Sequence, residues 1–113
     1  MTTTDLRRAT VEWLSAVLDS AHVDTIGVSN WWDRATAALQ TAATASSYGE
    51  AVSTAARKLQ IDVYRDTSAA TLARLETVIG ADLPAWSEIV HAEAPYLVAL
   101  VRIHRQARKE KTT

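Results

Sequence analysis

The spacing with most chemical content is Glu88-Ile89-Val90-His91. Positions i and i+3 of a helix share a face, so a carboxylate and an imidazole placed there can reach one metal ion. A ferritin-like di-metal centre needs two such units and two further carboxylates, and the chain has no second Glu-x-x-His. His22, His91 and His104 lie far apart in sequence, and no serine sits in a Gly-x-Ser-x-Gly elbow. Glycine occurs only at 27, 49 and 80, too sparsely for a phosphate-cradling loop or a dinucleotide fingerprint. Cysteine is absent, which removes disulfides, thiolate metal sites and thiol nucleophiles. The expectation is a non-enzymatic protein with no catalytic residues, no cofactor and no metal.

Two other groups of residues suit recognition. Trp31 and Trp32 are adjacent, and neighbouring helix positions point about 100° apart, so both rings rarely enter one core. Burial of both under the loop 24–29 is the plainer reading. The sharper one is an aromatic anchor at a protein interface, where Trp is enriched. Arg102, Arg105 and Arg108 recur every three residues near the end of the chain, followed by Lys109 and Lys111. Such a run offsets a helix dipole, and it is also the electrostatic footprint of phosphate contact. The net charge of −1 and the lack of interleaved aromatics count against nucleic acid, which stays the alternative partner. From 76 to 101 there are four acids and no base, so the basic end 102–113 has an acidic counterpart within the chain, or in a second copy.

These residues must be held by helices. With 113 residues, 48% hydrophobic and 22% charged, the composition is that of one globular domain spanning 1–113. Three glycines and two prolines leave few breaks, and no alternating strand pattern appears. The fold class expected is all-α, a compact bundle of four to six helices. A first helix over about 4–21, capped by Thr4 or Asp5, carries an apolar stripe from Leu6 to Leu18. Gly27 marks the following connection; Asn30 with Asp33 suggests the next helix start, and Gly49 its end. From 50 to 79 there is neither Gly nor Pro, which favours one long central helix. Its stripe changes phase, however: Leu72, Leu75 and Ile79 lie about half a turn from the Val52–Val63 stripe. A break at 66–68 is the competing outcome. Pro84 suits the first turn of a last helix, and Pro95 should kink or split it.

Lengths carry the interaction argument. Two helices of about 27 Å cannot cover a continuous helix of about 45 Å and a final one of about 40 Å. Leu72, Leu75 and Ile79 would then face water and, with Trp31 and Trp32, form a protein interface, most simply in a homodimer. The function expected is a protein–protein interaction module: an adaptor, inhibitor or assembly subunit. The nucleic-acid alternative would use Arg102, Arg105, Arg108 and Lys109. The start of the chain has no apolar run behind a basic flank, and no stretch is long enough to span a membrane, so a cytoplasmic location is expected. The Ala, Thr and Arg excess matches GC-rich codon usage and suggests a bacterial or phage source.

Overall fold

A computed structural model describes residues 2–20, 29–60 and 67–112, with side chains described for 2–19, 30–60 and 70–108. Among the described residues the chain forms five α-helices and no strand. The connection at His22–Gly27, together with Val63 and Asp66, lies outside them.

Helix α1 (Thr3–Ser20) starts one residue earlier than its sequence suggests. Thr2 Oγ1 accepts from the Asp5 amide at 3.1 Å, and Asp5 Oδ2 accepts from the Thr2 amide at 3.3 Å, so Asp5 is the reciprocal partner in a capping box. Those bonds hold the Asp5 carboxyl below its ordinary value. Every residue from Trp13 to Leu18 is buried. A helix buried all round belongs to the interior. α1 accordingly packs against both α4 and α5.

Helix α2 (Ser29–Ala42) contains Asn30 within its first turn, where it does not act as the cap. Ala35, Ala38 and Ala42 line its buried face, small enough for α3 to approach closely. The turn 43–47 ends at Ser47, whose hydroxyl accepts from the Glu50 amide at 3.2 Å and starts α3 (Tyr48–Leu59). Gly49 therefore lies in the first turn of α3 and does not close α2.

The continuous helix over 50–79 does not form. Gln60 takes the left-handed conformation (φ 59, ψ 45), and its amide donates to the carbonyls of Ala56 and Arg57. That stop answers the phase change in the sequence. Once the chain has turned, α4 (Thr67–Ile79) directs Leu72, Leu75 and Ile79 into the core, where they are 6%, 1% and 0% exposed. The overhang expected to leave them in water is absent, and with it the case for an interface there.

A single 3₁₀ turn (Gly80–Asp82) leads into α5 (Leu83–Thr112). Asp82 Oδ1 accepts from the Ala85 amide at 3.3 Å, with Pro84 in the first turn as expected. α5 passes through Pro95 without splitting. It still has to bend. The pairs Arg7–Glu93 and Asp19–Arg105 advance together, so the second half of α5 runs in the direction of α1. A straight α5 at about 1.5 Å per residue would carry Trp86 beyond the start of α1. Instead the Trp86 indole N–H reaches Thr10 Oγ1 at 2.9 Å. Pro95, with no amide to give the preceding turn, is the natural cause.

The core is built around Trp13 and Trp86, which meet edge-to-face with centroids 5.6 Å apart. Tyr48 donates its hydroxyl to the Leu72 carbonyl at 2.5 Å, tying α3 to α4. Burial pushes the Tyr48 phenol well above its ordinary value; the neighbouring Trp13 N–H opposes that without reaching hydrogen-bonding geometry. The Cα radius of gyration, 12.9 Å, is that of a compact globule.

Candidate interaction surface

Trp31 and Trp32 do not act as a pair. Trp32 is buried at 7% exposure, while Trp31 is half-buried against the core with the Arg34 guanidinium 5.2 Å from its ring centroid. The loop expected to cover them lies outside the described residues.

Three charges of the last helix, on Glu93, Arg105 and Arg108, are answered by α1. Arg105 Nη1 and Arg108 Nη1 donate to the two oxygens of Asp19 at 2.5 and 2.7 Å, and the Arg105 side chain is only 9% exposed. Glu93 accepts from Arg7 Nε and Nη2, both at 2.9 Å, and the shared hydrogen bonds raise the Arg7 guanidinium's hold on its proton. Arg74 on α4 pairs with Glu12 on α1. The basic end thus finds its described acidic partner in Asp19 and not in the segment 76–93. Arg102 is exposed, and the Lys109 side chain lies outside the described set.

Glu88 and His91 are both exposed, and among the described residues no three His, Asp or Glu side chains come together. A cleft of about 350 Å³ among α1, α4 and α5 is lined by Glu12, Ser15, Asp19, Thr71, His104 and Arg108. Both of its acids are held by arginines. The Ser15 hydroxyl is buried and makes no hydrogen bond, so no base activates it.

The outer face of α5 is different. Tyr96 (56% exposed) and Ile103 (64%) are the exposed large hydrophobics among the described residues, and they lie seven positions apart on one helix. Ala92 and Ala99, also exposed, alternate with them at spacings of four, three and four. That is a heptad seam, and it faces away from the core side formed by Trp86, Val90, Leu97 and Val101. Leu100, half-buried beside the seam, joins Ile103, Val11 and Arg8 in lining a groove of about 620 Å³ toward α1. Exposed Glu88 lies at the start of the seam and exposed Arg102 toward its end.

The second face is hard to see in the sequence because Leu100 and His104 fall between the two: Leu100 is half-buried and His104 exposed. The available signal was the four–three–four spacing of Ala92, Tyr96, Ala99 and Ile103, muted because alanine and tyrosine weigh little as hydrophobes. No helix among the described residues is long and apolar enough to cross a membrane. Comparison with protein-family models, curated proteins and solved structures gives no match to this chain.

Proposed function

We propose that this chain is a non-enzymatic protein–protein interaction module that works through the outer face of α5. The observation that carries the reading is that the exposed large hydrophobics among the described residues, Tyr96 and Ile103, fall in one seam. The buried trio Leu72, Leu75 and Ile79 does not serve the reading, and half-buried Trp31 lies on a different helix from the seam. Nucleic-acid binding draws less support, because Arg105 and Arg108 already hold Asp19. A cytoplasmic location and a bacterial or phage source belong to the same proposal and rest on composition alone.

The test compares the wild type with the double variant Tyr96→Glu/Ile103→Glu. Both side chains are exposed, so the fold should survive the change. Immobilised wild type should retain a protein, either from its source lysate or as added copies of itself, that the double variant loses. Equal retention by both would sink this surface as the site, and no retention by either would sink the module.

A further inference from the structure

We infer that the occupant of the α5 seam is the same seam on a second copy, packed antiparallel about a two-fold axis between Leu97 and Val98. This rests on the interaction reading above and names its partner. The argument begins with shape. Along the seam two large residues (Tyr96, Ile103) alternate with two small ones (Ala92, Ala99), all exposed. In a parallel pair each row meets its own copy, so large faces large and small faces small. In an antiparallel pair the rows exchange: Tyr96 lies over the partner's Ala99, and Ile103 over the partner's Ala92. Knobs then meet holes, closest at Tyr96 and Ala99 beside the axis, while the bend at Pro95 sets how near Ala92 comes to the partner's Ile103.

Charge selects the same direction. Of the described charges beside the seam, Glu88 lies at its start and Arg102 toward its end, and both are exposed. Reversing one copy brings the acidic start of each helix toward the Arg102 end of the other, once on each side of the axis. A parallel arrangement would stack like charges. A surface complementary to itself under a two-fold rotation is what an isologous dimer requires. Arg7, Asp19 and Arg74 satisfy the charges that face inward, so the inward pairs do not compete for this one.

Because the chain has no cysteine, single introduced thiols report the register cleanly. Sedimentation at tens of micromolar should give twice 12.3 kDa for the wild type. Ile103→Glu should weaken association by roughly thirty-fold or more, as hot-spot residues do, with an unchanged helical spectrum. Ala99→Cys, next to the axis, should form a disulfide-linked dimer on mild oxidation. Ala92→Cys should not, since its two copies would lie about 16 Å apart along the helices. Mixed with Ile103→Cys, it should cross-link. A wild type that stays monomeric to several hundred micromolar overturns the second copy; the interaction module then stands or falls on the retention test alone. A dimer that Ala92→Cys locks by itself overturns the antiparallel arrangement, and one indifferent to Ile103→Glu overturns the seam.

Discussion

The Trp86 indole nitrogen donates to Thr10 Oγ1 at 2.9 Å, and the same hydroxyl donates to the Leu6 carbonyl at 2.7 Å, both inside the core. One threonine therefore satisfies a buried tryptophan and spends its own proton on the preceding turn. Thr10→Val keeps the shape and removes the acceptor. Leaving the Trp86 N–H unpaired should cost about 1–3 kcal/mol. Urea unfolding with an unchanged far-UV spectrum would show it, and a change within error would mean the pair contributes nothing net.

Asp19 and Glu12 both lie on α1 and both hold arginines, yet they should respond differently to removal. Asp19→Asn removes the carboxylate that Arg105, 9% exposed, shares with Arg108. A cost of about 2–3 kcal/mol is expected, below the full value for a deeply buried pair because Asp19 itself keeps some solvent. Glu12→Gln breaks a pair exposed on both sides, where about 0–1 kcal/mol is usual. Equal losses in denaturant titrations would contradict the burial difference.

Gln60 occupies a left-handed backbone position that a side chain disfavours and glycine does not. Gln60→Gly should raise stability by about 0.5–1 kcal/mol, the relief of strain being partly offset by unfolded-state entropy. Gln60→Val should lower it, since a β-branched residue is a true outlier there. Thermal melts of the two variants should shift in opposite directions.

Tyr48 supplies a pH dependence. Its phenol is raised by burial, so the folded state keeps the proton longer than the unfolded state does. The associated stability is fully present below the unfolded value near 10 and is lost as pH rises through and beyond it. Relative to neutral pH, the wild type should lose more stability by about pH 11 than Tyr48→Phe does. At neutral pH the variant should be weaker by about 1 kcal/mol, because the Leu72 carbonyl loses its donor. Parallel pH curves for the two proteins would refute this.

Helices were legible in the sequence because their signals are local. Asp82 and Pro84 mark the start of α5, and the stripe from Leu6 to Leu18 marks α1. The direction of a stripe is not local. Leu72, Leu75 and Ile79 form a second, outward face only if 50–79 is one rod; α3 stops at the left-handed Gln60, and on α4 the three side chains are buried. Gln60 carries no sequence mark of that role, since glutamine is an ordinary helix former. Within one chain the charge pattern misleads for a related reason. The acids of 76–93 and the bases after 102 look like mutual partners along the chain, but Arg7 and Asp19 on α1 lie alongside them in space.

Those same α1 contacts bear on how the protein comes to be folded. Arg7 meets Glu93, Thr10 meets Trp86, and Asp19 meets Arg105 and Arg108, all across most of the chain. During synthesis α1 emerges before any of these partners exists, with Trp13, Leu14, Val17 and Leu18 unsheltered. α2 and α3, close in sequence and packed together, can associate much sooner. The order of manufacture therefore runs against the order of packing, and the most thoroughly buried helix is the one that waits longest. That interval is when a nascent chain is most open to chaperones and to aggregation.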